Sequence, residues 1–190
     1  MEPLQVLRMV VSALQDLEIP CMLVGSFASS SHGFPRLTQD ADLVVQLNRN
    51  QVDGFIGVFS RDFYVDRGLI ERALTNQTSF NIIHLQSSFK VDFFVLGTAR
   101  YLEEEFSRRV LKPIDPGTDF AAYVQTAEDA LLSKLQWYRQ GGEVSENQWR
   151  DAIGIVKVQE GRLDSAYLQK WAKELGISDL LLRARQEAAG

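Results

Sequence analysis

Apolar positions in the first part of the chain alternate between helical and strand spacing. From Leu4 to Leu17 they fall three or four residues apart, which predicts an amphipathic helix. The run "CMLVG" then predicts a short buried strand, and Gly25 allows the chain to leave it sharply. Ser26 is the expected N-cap of a small-residue helix, "SFASSSHG", that ends at Gly33.

Strand-like and helix-like segments continue to alternate through the middle of the chain. "ADLVVQL" predicts a second strand, and "NQVDGFIGVFS" predicts a helix that follows an Asn cap. "FYVD" and "GLIERALTN" predict a short strand and another helix. "SFNIIHLQ" and "FKVDFFVLG" predict a hairpin around Ser87 and Ser88. "TARYLEEEFSRRV" is then expected to be helical and "LKPIDPGTD" to be a loop.

Beyond residue 118 the pattern becomes almost entirely helical, after one strand expected near residues 119–123. Thr126, Ser145 and Asp164 each precede an apolar helical pattern and are expected N-caps. The sequence therefore predicts an α/β protein with a mixed β-sheet flanked by helices. The expected division is an α/β core at residues 1–118 and a helical C-terminal subdomain at 119–190, packed on that core.

Composition and charge are typical of an ordinary globular protein. Of the 190 residues 45% are apolar, which is enough for one buried core. The charged fraction of 24% is ordinary for a folded protein. The apolar runs are too short to cross a bilayer, so no membrane partner is expected. The net charge is −5, and Arg and Lys form no basic stripe, which argues against long duplex DNA as a ligand.

The N-terminus and the single cysteine indicate the expected compartment. The N-terminal segment carries an early acid and proline and does not resemble a signal peptide. Cys21 is the one cysteine of the chain, so it cannot form an intrachain disulfide, and we expect it to be buried and inert. A cytoplasmic location is therefore expected. His32 and His84 lack cysteine or histidine neighbours at ligand spacing, so no zinc site is expected.

Two acids stand at the start of the second predicted strand. Asp40 and Asp42 are two residues apart, so in a strand their carboxylates project from the same face. Two ionised acids this close repel each other unless a cation lies between them, and Mg²⁺ prefers such oxygen ligands. On its own, a D-x-D pair is more often an acidic strand entry with both side chains in water.

A third acid lies in a later strand. In "FKVDFFVLG", Asp92 shares a face with Lys90 and Phe94, while its strand neighbours point to the other side. A third carboxylate would serve a second metal ion or act as the base for an attacking hydroxyl. A salt bridge or an exposed strand edge is the alternative interpretation. Gly25 and Ser26, between a strand and a helix, suit a phosphate-binding turn or an ordinary strand-to-helix turn.

The order of these features resembles a known fold. A strand, Gly-Ser, a short helix, D-x-D on a strand and a distal Asp are the signature of the nucleotidyltransferase fold shared with DNA polymerase beta. "LVGSFASSSHGFPRLTQDADLVV" and "KVDFF" look like AbiEii-type nucleotidyltransferases of bacterial abortive-infection and toxin–antitoxin systems. In that group an E-D-x-x-x-x-K-L helix precedes an Arg/Lys-Asp pair, which here corresponds to Glu128, Asp129, Lys134, Arg150 and Asp151. The resemblance covers most of residues 21–156.

This resemblance implies a magnesium-dependent transfer of a nucleoside monophosphate from a nucleoside triphosphate to an acceptor hydroxyl. Asp40 and Asp42 would hold Mg²⁺ against the triphosphate, and Asp92 would help to hold a second metal ion and take the acceptor's proton. Two metal ions would stabilise the attacking and leaving oxygens. The acceptor could be an RNA end, a protein or a small molecule.

Several charged residues have two interpretations. Lys134 could offset triphosphate charge, or it could be a solvated surface lysine. Arg36 could reach phosphate or lie on the surface. Asp151 suits a structural ion pair at least as well as catalysis. The substrate-binding set predicted from the sequence is therefore Gly25, Ser26, Arg36 and Lys134.

Two non-catalytic functions are the alternatives to the enzyme. The first is a catalytically silent nucleotidyltransferase-like module that senses a nucleotide or binds a protein partner, as a component of a toxin–antitoxin pair would. The second is a helical interaction domain in which the acids only decorate the surface. The three acids in the expected order favour the enzyme.

Overall fold

The computed structural model describes residues 2–36, 38–115 and 117–189. Two compact units make up the fold. The first unit consists of Met1–Leu23 and Thr38–Val124, and the second of Val24–Leu37 and Gln125–Gly190. The second unit thus combines a short early segment with the C-terminal helices. The division at residue 118 stays a prediction.

Helices and strands alternate up to residue 124, and helices follow. The helices are α1 (Pro3–Asp16), α2 (Gly25–His32), α3 (Val52–Phe59), α4 (Arg67–Asn76), α5 (Arg100–Ser107), α6 (Ala127–Gln140), α7 (Glu146–Val158), α8 (Ser165–Glu174) and α9 (Ser178–Ala189), with a 3₁₀ turn at Arg49–Gln51. The strands are β1 (Cys21–Val24), β2 (Asp40–Val45), β3 (Phe63–Tyr64), β4 (Ser79–His84), β5 (Lys90–Val95), β6 (Val110–Pro113) and β7 (Ala121–Val124). No helix in this described part is long and apolar enough to span a membrane.

The strands form one seven-stranded sheet in the order β3-β4-β5-β2-β1-β7-β6. The β2–β5 and β1–β7 pairs are parallel, and the β3–β4, β4–β5 and β6–β7 pairs are antiparallel. The amide of Gln46, just after β2, donates to the carbonyl of Pro20, just before β1, at 2.9 Å. These two neighbours therefore run in opposite directions. The predicted mixed sheet and the β4–β5 hairpin are confirmed.

One face of the β2–β5 region is apolar and fully buried. Alternate residues of the two strands, including Leu43 and Phe93, are inaccessible to solvent. Phe55 of α3 packs on this face, with its ring centroid 5.5 Å from that of Phe93 and 5.7 Å from that of Phe80. Buried aromatic rings of this size contribute much of the core's stability. Because strand side chains alternate, the polar residues of β2 and β5 must lie on the opposite face.

In the second unit the predicted helix starts are confirmed. The side chain of Thr126 accepts a hydrogen bond from the amide of Asp129, and Ser145 and Asp164 cap α7 and α8 in the same way. The Tyr167 hydroxyl of α8 donates to buried Asp129 of α6 at 2.6 Å. Capping and this cross-helix bond together fix the start of α6 against α8.

Two local predictions are wrong. Ser26 is not an N-cap: α2 begins at Gly25, whose φ of 61° turns the chain, and Val24 occupies the cap position. The predicted loop after α5 begins with β6, and the helix predicted through Val110 ends at Ser107. Pro113 is tolerated there because it ends an edge strand, where a missing amide costs little. Pro116 of that loop, like Leu37 in the first motif, lies outside the described residues.

Candidate functional site

The three predicted acids come together on the half-buried face of the sheet. Asp42 of β2 lies directly opposite Asp92 of β5, and Asp40 lies directly opposite Lys90. Residues opposite each other in a parallel pair, and residues two apart in one strand, share a face. We call this group of Asp40, Asp42, Lys90 and Asp92 the acid face. All four side chains are partly accessible to solvent.

A lysine is already bound within the acid face. The Lys90 ammonium lies 2.7 Å from Asp92 Oδ2. The hydrogen bond to Asp92 raises the pKa of Lys90, and the charges of Asp92, Asp40 and Asp42 act in the same direction, against desolvation. The Thr38 hydroxyl donates to Asp40 Oδ1 at 2.7 Å. The salt bridge that was the alternative interpretation of Asp92 is therefore present.

The acid face has the right donor atoms for Mg²⁺ but is not a preformed metal cage. Carboxylate oxygens are the ligands that Mg²⁺ prefers, and the register fixes the backbones of their residues on adjacent strands. Within residues 2–36, 38–115 and 117–189, however, no three His, Cys, Asp or Glu side chains are placed to hold a metal ion. Asp92 directs one oxygen to Lys90 instead.

The predicted cations lie in the second unit, around a buried carboxylate. Asp151 Oδ2 lies 3.0 Å from Lys134 Nζ and 3.3 Å from Arg36 Nε, and it accepts a 3.2 Å hydrogen bond from the Ser29 hydroxyl. The side chains of Asp151 and Lys134 are each 5% exposed, so the solvated-surface interpretation of Lys134 is wrong. We call these four residues the Asp151 cluster.

Helix α2 contributes the remaining predicted contacts. Arg36 also donates to the Ser26 hydroxyl, and the Ser29 hydroxyl donates to the Ser26 carbonyl at 3.1 Å. Gly25 begins this helix with a positive φ that side chains rarely adopt. The structure thus joins Ser26, Arg36 and Lys134 through Asp151, which the sequence had left as a structural or catalytic acid. Arg150, the neighbour of Asp151, instead donates to Asn147 at 3.0 Å.

Sequence reasoning missed Ser29 and the pairing of Lys90. Ser26 and Ser29 are three residues apart, so they share one side of a helix, which was a usable signal for Ser29. Lys90 and Asp92 were already placed on one face, and the alternation alone permits their contact. Nothing local to Asp151 predicts its partners, since Arg36 and Lys134 lie on other elements.

The two histidines have structural roles in their own units. His32 Nε2 lies 2.7 Å from the Gln125 carbonyl, and Gln159 donates to the His32 carbonyl at 2.8 Å. His84 Nδ1 lies 2.8 Å from the Ser87 hydroxyl, at the turn between β4 and β5. Both buried rings therefore have hydrogen-bonding partners within the protein.

Comparisons with known proteins give a likeness at the level of structure. No protein-family model matches the sequence, and no curated protein matches it. A solved structure, that of an antigenic nucleotidyltransferase-like protein from Paracoccidioides brasiliensis, aligns with a TM-score of 0.57 and 19% identity over 97% of this chain and 92% of the other. The chain has a nucleotidyltransferase-like fold.

Two further solved structures align less closely. The antibiotic-resistance factor ANT(2'')-Ia gives a TM-score of 0.48 at 12% identity, over 100% of this chain and 96% of the other. A CCA-adding enzyme in complex with ATP gives a TM-score of 0.42 at 12% identity, over 92% of this chain and 48% of the other. At these identities the alignments concern the fold, and the chemistry has to be argued from the site itself.

Proposed function

We propose that the protein is a magnesium-dependent nucleotidyltransferase that transfers a nucleoside monophosphate from a nucleoside triphosphate to an acceptor hydroxyl. The observation that carries this proposal is the register of β2 and β5, which sets Asp42 opposite Asp92 with Asp40 on the same face. Three carboxylates on a half-buried face of a nucleotidyltransferase-like fold are suited to a divalent cation and a triphosphate.

The acids would have separate roles. Asp40 and Asp42 would hold the metal ion, and Asp92 would complete the set of oxygen ligands. Bound Mg²⁺ supplies positive charge that offsets the charge of the triphosphate. Asp92 would also accept the proton of the acceptor hydroxyl, because it lies next to Asp42 on the same face.

The reaction follows from these roles. The acceptor oxygen forms a bond to the α-phosphorus, and the bond from that phosphorus to the oxygen bridging to the β-phosphate breaks. Pyrophosphate leaves with the electron pair, and the acceptor's proton goes to Asp92. Phosphoryl transfer leaves the protein mainly the tasks of positioning and charge stabilisation.

Gly25, Ser26, Arg36 and Lys134 are our proposed triphosphate contacts. Asp151 holds the two cations close together, with its Oδ2 3.3 Å from Arg36 Nε and 3.0 Å from Lys134 Nζ. Guanidinium and ammonium groups held in this way are suited to phosphate oxygens. Gly25 would let the backbone approach a phosphate closely.

The finer assignment also stays a proposal. The AbiEii-like motifs suggest a bacterial, cytoplasmic protein of a toxin–antitoxin pair, with the product of a partner gene as a protein ligand. Transfer RNA ends, protein hydroxyls and small molecules are the acceptors to test.

A catalytically silent binding module is the second candidate. The ion pair between Lys90 and Asp92 favours it, because the carboxylate proposed as the base is already engaged. A silent module would bind nucleotide or a protein partner without releasing pyrophosphate.

Nucleotide binding tests the proposal without knowledge of the acceptor. Calorimetric titration with each ribonucleoside triphosphate and Mg²⁺ should show binding by the wild type that Asp42→Asn weakens at least roughly tenfold, the effect of one lost charge-assisted contact of about 1.4 kcal/mol. Asp62→Asn, an exposed acid of the same unit, is the matched control and should bind like the wild type. Equal magnesium–nucleotide binding by the wild type and Asp42→Asn would contradict the proposal. Binding without pyrophosphate release, with every acceptor class supplied, would favour the silent module.

A further inference from the structure

Lys90 is placed where a bound cation would have to go. Its ammonium lies 2.7 Å from Asp92 Oδ2, and its backbone lies opposite Asp40. The Lys90 side chain is 43% exposed, whereas that of Asp92 is 18% exposed. The lysine is therefore the more accessible partner of this ion pair.

All three carboxylates of the acid face affect the pKa of Lys90. After the hydrogen bond to Asp92, the charges of Asp92, Asp40 and Asp42 all favour the protonated form and raise its pKa. The register places the other two carboxylates beside this pair, with Asp42 opposite Asp92 and Asp40 opposite Lys90.

We propose that Lys90 is the exchangeable counter-ion of the acid face and that Mg²⁺ must displace its ammonium from Asp92 to bind. This inference rests on the proposed function, because it concerns how that same site takes up its metal ion. Lys90 holds the carboxylates together in the metal-free protein and lowers the affinity for the metal ion. It thereby sets the magnesium concentration at which the site fills.

Exchange is sterically simple. A lysine has a long, flexible side chain, and an accessible ammonium can turn into water at small cost. The β2–β5 ladder holds the backbones of Asp42 and Asp92 opposite each other, so Asp92 needs only a side-chain rotation to turn from Lys90 toward Asp42.

A magnesium titration of the full chain without nucleotide tests this exchange. The variants are Lys90→Met, which keeps the apolar stem and removes the charge, Lys90→Arg, which keeps a cation, and Lys157→Met, an exposed lysine of α7, as the control. Calorimetry measures the magnesium affinity and thermal unfolding measures the stability, both at constant ionic strength, because salt screens such exposed charges.

We expect Lys90→Met to bind Mg²⁺ about fivefold more tightly than the wild type, the effect of removing one partly exposed ion pair. Without metal, Lys90→Met should unfold at a lower temperature, because Asp92 then loses its ion pair with Lys90, and Mg²⁺ should reverse this loss. Lys90→Arg and Lys157→Met should bind Mg²⁺ like the wild type.

The outcomes separate the two proposals. If the wild type binds Mg²⁺ and Lys90→Met binds it equally or more weakly, the exchange is wrong while the proposed function stands. If Lys90→Met is no less stable than the wild type without metal, the counter-ion role is wrong. If neither the wild type nor Lys90→Met binds Mg²⁺ without nucleotide, the exchange is overturned, and the titration with Mg²⁺ and nucleotide together decides the proposed function.

Discussion

The acid face and the Asp151 cluster are opposite solutions to the same electrostatic problem. In the acid face the ammonium of Lys90 pairs with Asp92, and the charges of Asp40 and Asp42 act on it from the same face. In the Asp151 cluster one carboxylate serves two cations, Arg36 and Lys134.

The solvent exposure of each group determines whether water and dissolved ions or the protein itself compensate its charge. In the acid face the paired side chains of Lys90 and Asp92 are 43% and 18% exposed, so water and dissolved ions can reach them. In the Asp151 cluster the side chains of Asp151 and Lys134 are both 5% exposed, so the protein itself must supply the compensating charge. The first group is therefore suited to exchange of its cation, and the second to holding its cations in place.

The largest expected effect is on the buried cluster. Asp151→Asn removes the carboxylate beside buried Lys134 and should lower the free energy of unfolding by about 3 kcal/mol, the typical result of breaking a buried ion pair from one side. Urea unfolding followed by circular dichroism measures this loss. Adding Lys134→Met should recover part of it, since a neutral side chain no longer needs the carboxylate.

Asp92→Asn is the matched change in the acid face. It removes one carboxylate from a partly exposed pair and should change the free energy of unfolding by about 1 kcal/mol or less. A loss as large as that of Asp151→Asn would mean that the acid face, too, is held by fixed internal pairing, and the contrast between the two groups would be wrong.

The next prediction concerns the buried thiol of Cys21, which burial keeps neutral. Burial raises the pKa of the Cys21 thiol to about 11, and the charge of Arg109 lowers it by less. The folded protein therefore keeps this proton to higher pH than the unfolded chain, so stability is complete below about pH 9 and falls as the pH rises toward 11. Between pH 8 and 10.5 the wild type should lose about 2 kcal/mol more than Cys21→Ala.

Urea unfolding at the two pH values measures this difference, and the wild type and Cys21→Ala share every other titrating group. Parallel losses in the two proteins would show that Cys21 ionises as readily in the folded protein as in the unfolded chain. Burial would then not control the protonation state of the Cys21 thiol.

The sequence predicted features that depend on neighbours in the chain. The alternation in β2 and β5 placed Asp40 and Asp42 on one face and Lys90 with Asp92, and the caps at Thr126 and Ser145 were found from local patterns. Strand period and capping are short-range properties, so a single sequence contains enough information for them.

Features that depend on distant partners were not predictable in the same way. The direct opposition of Asp42 and Asp92 needs the strand order, and the pairing of Asp151 with Lys134 needs the packing of α7 against α6. The strand β6 was missed because Pro113, with the second proline and the glycine that follow in the sequence, is typical of a loop, and only the pairing with β7 makes this segment a strand.

The last prediction tests the Asp151 cluster without changing a charge. Gly33 ends α2 where that helix meets α7, and a Cβ there would lie 2.9 Å from the Ile155 nitrogen and 3.0 Å from the Gly154 carbonyl carbon. Both are backbone atoms, so the helices must separate to admit a methyl group, and Gly33→Ala should lower the free energy of unfolding by about 1–2 kcal/mol. In α3, a Cβ at exposed Gly57 would meet nothing within 4 Å, so Gly57→Ala should be neutral or stabilising by about 0.5–1 kcal/mol.

Urea unfolding compares the two alanine variants, and Asp151→Asn combined with Gly33→Ala shows whether they act on the same contact. The Ser29 hydroxyl of α2 reaches Asp151 of α7 at 3.2 Å, so separating these helices should weaken that hydrogen bond as well. The two losses should then sum to less than their separate values, because part of the contact is removed by either change. Full additivity would mean that the approach of α2 to α7 at Gly33 does not hold the cluster together, and that Asp151 is positioned by its two cations alone.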